Sequence, residues 1–218
     1  MDTILAVIYV ILAVLPAYFI SSLNSAIIVT KIAAGKDIRQ LGSHNAGLTN
    51  TLRCVGKKAA AVVLFGDAAK GVLSVFAVKG VWLLWFGLDF GSLYNLNQNF
   101  SWLFFLAGTA ACLGHTFPLY YRFKGGKGIL VTCAALYATD WRIASASLAV
   151  FILIVIFTRY VSLGSVIAAA TIPAGTWVFT GNVISTCISA VTAAILIIMH
   201  RANIKRLITH TENKLGKK

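Results

Sequence analysis

Charge is scarce in this 218-residue chain, and acidic residues are the scarcest. Asp, Glu, Lys and Arg together make up 11% of the residues, against about 25% in ordinary soluble proteins. Hydrophobic residues make up 59%, so charge is too sparse to cover a soluble globule, and an intrinsically disordered chain is excluded as well. Four cysteines in a chain this apolar exclude a disulfide scaffold, and they show no CxxC or Cys/His spacing, which predicts no metal site. The composition therefore predicts a membrane protein.

Long apolar runs are abundant. A transmembrane helix needs about 20 mostly apolar residues, or about 17 at the short end. Seven candidate runs lie at 4–29, 59–77, 102–113, 129–139, 143–157, 161–179 and 183–199. Polar residues interrupt the first run at 21–25 and the second at 66–71. The apolar piece 81–88 is expected to extend the third run, and the polar stretch 89–99 is predicted to be a loop. Because prolines are few, turns are short and no run alternates with a period of two, the sequence predicts one all-α domain over 1–218, a polytopic membrane bundle of about seven helices.

The basic residues predict the orientation of this bundle. Nineteen Lys and Arg residues stand against six Asp and Glu, an excess that would indicate nucleic-acid binding in a soluble protein. Here, sixteen of the nineteen fall in segments on one side of the predicted spans. The positive-inside rule then places the N-terminus outside and the C-terminus in the cytoplasm, and no nucleic-acid partner is expected.

The polar segment 41–53 favours anion binding. Its Gly, Ser and Asn residues allow a tight loop to expose backbone N–H groups, and such groups at a helix start point toward an anion. If the helix begins near Leu48, Thr49 and Arg53 are i, i+4 neighbours and Asn50 lies i, i+3 from Arg53. Hydroxyl, amide and guanidinium groups on one face suit a phosphate. The alternative is a polar turn with a helix cap and a topology-setting arginine.

A second segment, 114–128, ends in the glycine loop 125–128 directly before an apolar helix. Glycines let the backbone approach a phosphate, and Lys127 supplies a positive charge. The segment is not a Walker A sequence, because Tyr121 stands where the first Gly is needed and Gly128 where Ser or Thr is needed, so an NTPase is disfavoured. A glycine-rich turn with lysines reaching the interface is the alternative.

Two more polar segments lie on the same predicted side. Ser162 and Ser165 stand one turn apart at the mouth of the sixth span. His200 and Asn203 share one helical face, although 200–206 also fits an amphipathic helix that lies against lipid.

Within the second span, Asp67 and Lys70 stand three positions apart and are predicted to pair. Ionisable residues inside a membrane are costly, which favours a functional role. A structural ion pair near the interface is the alternative.

Together these segments resemble one family, the bacterial membrane acyl-phosphate:glycerol-3-phosphate acyltransferases. The match covers nearly the whole chain and rests on motifs in order: GSxNxGxTNxxR at 42–53, GKK and GDxxKG within 56–71, GHxxPxxxxFxGGKG at 114–128, TRYxS at 158–162 and HRxNIxR at 200–206. The resemblance implies that an acyl chain passes from an acyl phosphate to the 1-hydroxyl of sn-glycerol 3-phosphate, giving lysophosphatidic acid and phosphate without a cofactor. It also implies a multi-pass protein of the bacterial plasma (inner) membrane, a cytoplasmic active site and a functional link to a soluble enzyme that makes acyl phosphate.

Both substrates carry a phosphate, so the site must hold two anions side by side. The resemblance implies catalytic roles for Ser43, Arg53, Lys127, His200 and Asn203. It implies substrate or phosphate contacts for Gly42, Asn45, Gly47, Thr49, Asn50, His115, Gly125, Gly126, Gly128 and Ser165.

The chemistry that follows needs no strong protein base. None of the four histidines has the His-x4-Asp pattern of many acyltransferases with thioester donors, and an acyl phosphate already carries a good leaving group. The hypothesis is that a substrate phosphate oxygen takes the hydroxyl proton, while Lys127 and Arg53 stabilise the developing charge and proximity supplies much of the rest. A general base at His115 or His200 is the alternative.

Departures from the family pattern occur at His44 and Ala46, where Gly and Pro are frequent, and at His210, where a Gly commonly precedes Thr-Glu. The first is expected to alter phosphate affinity, and the second bears on the role of Glu212.

The alternative function is a transporter or channel for organophosphate anions, although the motifs gather on one predicted face and the sequence shows no two-fold repeat.

Overall fold

The computed structural model describes residues 3–86 and 101–216, and every regular element in these ranges is helical, as predicted. The α-helices are α1 Thr3–Ser22, α2 Ser25–Ala34, α3 Leu48–Cys54, α4 Lys57–Phe86, α5 Ser101–Thr116, α6 Ile129–Thr139, α7 Trp141–Thr158, α8 Val161–Thr180, α9 Val183–Met199 and α10 Arg201–Ile208. Short 3-10 turns occur at Ile38–Gln40 and Leu119–Tyr121. The loop predicted at 89–99 lies outside the described residues.

Five helical stretches in the described residues are long and apolar enough to cross a membrane: Val10–Ala34, Lys57–Val81, Ser101–Tyr121, Trp141–Thr158 and Val161–Thr180. Helices α9 and α10, which meet at a bend of 58°, make a sixth if they are counted as one crossing. Helix α6 is apolar but only 11 residues long. The described residues thus give five or six of the roughly seven predicted crossings.

The first predicted span contains a helix break. Helix α1 ends at Ser22, and the Asn24 side chain caps α2 by accepting a hydrogen bond of 3.1 Å from the Ile27 N–H. The polar patch predicted at 21–25 is therefore the junction of two helices, and it is largely buried. The break leaves carbonyl groups at the end of α1 without partners in the helix, and one of them becomes important below.

The second predicted span, in contrast, has no helix break, because residues 66–71 do not interrupt it. Helix α4 is continuous, and the described part of 81–88 extends α4 rather than the third span. A Cβ at Gly71 would lie 2.5 Å from the Val131 carbonyl oxygen, so this glycine permits close packing of α4 on α6. The predicted interruption at 66–71 was wrong, because a glycine in a membrane helix can permit close packing against a neighbouring helix without breaking its own helix.

The chain forms two compact units, Met1–Thr139 and Asp140–Lys218. In the first, α1 packs against α4 and α5, and α6 packs against α4. One core cluster there contains Ala17, Val75, Val78, Phe104, Ala107, Ala110 and Ala135, and another contains Ala26, Ile27, Ile38, Ala46 and Val63. In the second unit, α8 contacts both α7 and α9, and Gly181 (φ +58°) and Asn182 form the predicted turn between α8 and α9.

Candidate active site

Asn50 shapes the loop that the sequence predicted to bind an anion. The residue is 1% exposed. Its Nδ2 donates to the carbonyl oxygens of Leu41 (2.9 Å), Asn45 (3.1 Å) and Ile38 (3.3 Å), and its Oδ1 accepts from the Ser43 N–H (3.0 Å). The amide thus holds the loop from within, and its polar atoms are already engaged there.

The rest of this segment surrounds Asn50. Helix α3 begins at Leu48, as predicted, but Asn50 faces inward while Arg53 is exposed, so the expected convergence of Thr49, Asn50 and Arg53 on one face does not form. Gly42 has φ +53°, and a Cβ there would lie 2.5 Å from Asn50 Oδ1. Glycine at 42 is therefore required by the buried amide.

The other predicted substrate contacts of this segment differ in how exposed they are. Ser43 is exposed, whereas Asn45 and Thr49 are half-buried. Gly47 stands at the N-cap of α3 with extended backbone and no side-chain cap. These residues, unlike Asn50, remain predicted substrate contacts.

Arg39 connects this loop to the chain that precedes the glycine loop. Its Nη1 donates to the carbonyl oxygens of Tyr121 (2.9 Å) and Lys124 (3.2 Å), while Nε and Nη2 donate to the Asp37 carboxylate (3.0 and 2.7 Å). The hydrogen bond from Arg39 lowers the pKa of Asp37, and the same bond raises the pKa of Arg39. The sequence patterns did not single out Arg39, although Asp37 two positions earlier was the available signal.

The glycine loop 125–128 lies against the end of α5. The N–H groups of Gly125 and Gly126 donate to the carbonyl oxygens of Thr116 and His115, both at 3.1 Å. A Cβ on Gly126 would overlap His115 Nε2 and would lie 2.5 Å from the Ala46 carbonyl oxygen. The two loops predicted to bind phosphate are therefore neighbours in the first unit, and only glycine fits where they meet.

The end of the glycine loop leads into α6. Gly128 has φ +85°, a conformation that glycine adopts without strain, and its carbonyl oxygen accepts from the Thr132 N–H at 2.8 Å. Lys127, in the middle of this turn, is half-buried.

A buried chain of polar groups lies behind the glycine loop. Lys70 Nζ lies 2.9 Å from Asp67 Oδ1, which confirms the predicted pair. The same nitrogen lies 2.9 Å from the Leu23 carbonyl oxygen and 2.9 Å from His115 Nδ1. The approach to Asp67 is a charge contact rather than an aligned hydrogen bond. Leu23 contributes its carbonyl because α1 ends just before it.

In the second unit, Glu212 holds three residues together. Its Oε1 accepts from Ser162 Oγ (2.8 Å) and Asn203 Nδ2 (2.7 Å), and its Oε2 accepts from Arg206 Nε (2.6 Å). Burial alone would raise the pKa of Glu212, but the hydrogen bonds from Asn203, Arg206 and Ser162 hold it below the ordinary value. Asn203, a predicted catalytic residue, is thus fixed by a carboxylate.

His200 and Ser165, also in the second unit, are both buried. His200 Nδ1 lies 2.7 Å from the Leu196 carbonyl oxygen, so Nδ1 donates and Nε2 is the basic nitrogen of the neutral ring. Ser165 Oγ donates to the Val161 carbonyl oxygen at 2.9 Å.

The backbone explains why glycine is frequent in the family at two positions where this chain has histidine. His44 has φ +58° and His210 has φ +55°. Glycine adopts this left-handed conformation without the steric cost that a Cβ imposes. The frequent family residue at each position is therefore the one that the backbone favours.

Comparison with known proteins gives a consistent result. Residues 11–210 match the family model described as glycerol-3-phosphate acyltransferase. A glycerol-3-phosphate acyltransferase of Thermoanaerobacter sp. (strain X514) is 36% identical over 210 residues, covering 96% of this chain and 98% of that protein. The glycerol 3-phosphate form of PlsY, an integral membrane glycerol 3-phosphate acyltransferase, is similar with a TM-score of 0.81 and 32% identity, covering 95% of this chain and 96% of that chain. Its lysophosphatidic acid form has a TM-score of 0.76 and 31% identity, covering 95% of each chain.

Proposed function

This chain belongs to the glycerol-3-phosphate acyltransferase family, and from that premise we propose that it transfers an acyl chain from an acyl phosphate to the 1-hydroxyl of sn-glycerol 3-phosphate. The products are lysophosphatidic acid and inorganic phosphate. The observation that carries the proposal is the contact between the two glycine-containing loops, where Gly126 lies against Ala46 and His115 beside Lys127. The positive charge of Lys127 at the junction of these two loops suits a phosphate group. Membership of an acyltransferase family also favours an enzyme over the organophosphate transporter.

In the proposed reaction, the glycerol hydroxyl oxygen attacks the acyl carbonyl carbon, and the bond from that carbon to the phosphate oxygen breaks. The phosphate leaves with the bonding electrons, and a substrate phosphate oxygen takes the hydroxyl proton. Lys127 and Arg53 stabilise the developing negative charge. Ser43, His200 and Asn203 are the other proposed catalytic contacts, whereas Asn50 shapes the loop.

The two histidines considered as bases differ in geometry. His200 donates from Nδ1 to a carbonyl, so its Nε2 can accept a proton. His115 has Lys70 against its Nδ1. His200 is therefore the histidine that competes with a substrate phosphate for the role of base.

The proposal includes a topology. Counting α6 as a short crossing and α9 with α10 as one brings the described helices to seven crossings, with the N-terminus outside, and the C-terminus and the active site on the cytoplasmic face of a bacterial plasma membrane. The side preference of the Lys and Arg residues supports this orientation. We further propose that 1–218 acts as one catalytic domain and that a soluble enzyme supplies the acyl phosphate.

The test uses the full chain purified into lipid nanodiscs, with palmitoyl phosphate and glycerol 3-phosphate as substrates. Phosphate release and lysophosphatidic acid formation should rise together, and palmitoyl-CoA should not replace the acyl phosphate. Arg53→Ala and Lys127→Ala should each lower kcat/KM by about 100-fold, whereas Lys57→Ala, at an exposed lysine, should leave it unchanged.

Three outcomes would contradict parts of the proposal. Phosphate-ester flux in liposomes without phosphate release would contradict the enzyme. Equal rates with palmitoyl-CoA would contradict the acyl-phosphate donor. A loss well beyond tenfold in kcat for His200→Gln, with the KM values unchanged, would replace the substrate phosphate by His200 as the base.

A further inference from the structure

We propose that Asp67, Lys70 and His115 form a positioning triad, in which Lys70 fixes His115 as its Nε2–H tautomer and His115 in turn sets the place of the glycine loop 125–128. Its kinetic role rests on the acyltransferase function proposed above. All three side chains are buried in the first unit. In this proposal they act through the loop that carries Lys127, and His115 has this role in place of the substrate contact predicted for it.

The contacts of Lys70 determine which way the hydrogen bonds run. An ammonium group has three N–H donors and no acceptor. Lys70 Nζ has three acceptor atoms at 2.9 Å: the Leu23 carbonyl oxygen, Asp67 Oδ1 and His115 Nδ1. Two of these contacts, with the Leu23 carbonyl oxygen and His115 Nδ1, are hydrogen bonds, whereas the contact with Asp67 is one of charge. Because the ammonium group can only donate, His115 Nδ1 must accept.

The position of Asp67 determines which group carries the positive charge. Asp67 Oδ1 lies 2.9 Å from Lys70 Nζ but 3.8 Å from His115 Nδ1. A buried carboxylate needs a close countercharge, and lysine is a far stronger base than histidine. The pair is thus Asp67 carboxylate with Lys70 ammonium, and the His115 ring is neutral with its proton on Nε2.

His115 contacts the glycine loop through both its main chain and its ring. Its carbonyl oxygen accepts from the Gly126 N–H at 3.1 Å, and its Nε2 lies where a Gly126 side chain would stand. A rotation of the ring would push directly on the residue before Lys127. Because Nε2 carries a hydrogen and Nδ1 is engaged, His115 has no lone pair to act as general base.

The perturbation must remove the triad without leaving a charge unpaired. Lys70→Met alone would leave the buried Asp67 carboxylate without its countercharge and strongly destabilise the protein. The double variant Asp67→Asn/Lys70→Met removes both charges at similar volume. Lys79→Met is the matched control, since Lys79 lies on the same helix and its Nζ donates to the Ala138 carbonyl oxygen at 3.0 Å, away from the triad.

The first measurement is nitrogen-15 NMR of histidine-labelled full-length protein in nanodiscs, with the His115 signals assigned by their loss in His115→Gln. The wild type and Lys79→Met should show the Nε2–H tautomer for His115, and the double variant should show a mixture of tautomers. An Nδ1–H tautomer or an imidazolium ring in the wild type would overturn the proposal even if the double variant does not fold. Unchanged His115 signals in the double variant would overturn it as well.

The second measurement separates KM from kcat. The double variant should raise the KM of at least one phosphate substrate about tenfold, and its kcat should fall by less than in Lys127→Ala, because displacing the loop misplaces Lys127 without removing it. Unchanged KM values for both substrates would overturn the positioning role. Absence of transferase activity in the wild type would overturn the proposed function and the kinetic role together, while the NMR result would still decide the tautomer.

Discussion

Replacing Asn50 by Ala should disable the first loop without removing any group that contacts substrate. The two hydrogens of Nδ2 are shared among the carbonyl oxygens of Ile38, Leu41 and Asn45, and Oδ1 accepts from the Ser43 N–H. A full hydrogen bond is worth about 1 kcal/mol net when its partners keep access to water. Because Ser43 is exposed and its N–H can be rehydrated, we take the two Nδ2 donors, about 2 kcal/mol, as the cost to the closed loop.

A cost of about 2 kcal/mol corresponds to roughly a thirtyfold lower ratio of closed to open loop. We therefore expect kcat/KM to fall between about tenfold and a hundredfold in Asn50→Ala. Asn50→Asp should lose at least as much, because it keeps the volume but turns a carboxylate oxygen toward three carbonyl oxygens. The pair of variants separates volume from hydrogen bonding.

The assay is phosphate release in nanodiscs, with thermal unfolding measured on the same samples. Asn182→Ala is the matched control: its Oδ1 caps α9 by accepting from the Ser185 N–H at 2.9 Å, and its loss should cost about 1 kcal/mol of stability with unchanged kcat/KM. Wild-type kcat/KM in a folded Asn50→Asp protein would refute the reasoning.

Other residues give predictions of the same kind. His44→Gly and His210→Gly should each raise the unfolding temperature, because a left-handed backbone costs a non-glycine residue about 1 kcal/mol, and lower temperatures would contradict this. Glu212 has a lowered pKa, so its stabilisation is present above its ordinary value near 4.5 and is lost as the pH falls through the lower folded value. Glu212→Gln should reduce this loss of stability at low pH, measured by unfolding followed by circular dichroism at several pH values. The same loss in both proteins would argue against it. Arg39→Gln should raise the KM of a phosphate substrate about tenfold, because it releases the chain before the glycine loop. Lys36→Gln, at an exposed lysine, is the control, and equal KM values in the two variants would count against this role of Arg39.

Features set by local chemistry were predictable from the sequence. The start of α3 at Leu48 and the turn at Gly181 follow from residues within a few positions, because helix caps and left-handed turns depend on their neighbours. The Asp67–Lys70 pair was predictable because three positions on a helix bring side chains together.

Features set by distant partners were not predictable from one sequence. Gly71 reads as a break until Val131, sixty residues later, is found packed against it. Asn50 reads as a phosphate contact until its carbonyl partners show that it faces inward. No local pattern indicated that Lys70 would reach Leu23, since that carbonyl is exposed only by the break between α1 and α2.

The shortness of α6 has a consequence for the surrounding lipid. Eleven residues rise only about 16 Å as a helix, whereas the hydrocarbon layer is about 30 Å thick. Lys79 donates to the Ala138 carbonyl oxygen near the far end of α6, and the glycine loop lies at its near end, so both ends are polar. If α6 is one of the crossings, as proposed above, the bilayer must thin around it or water must enter. Turnover would then depend on the chain length of the surrounding lipid, because a thicker bilayer resists this thinning.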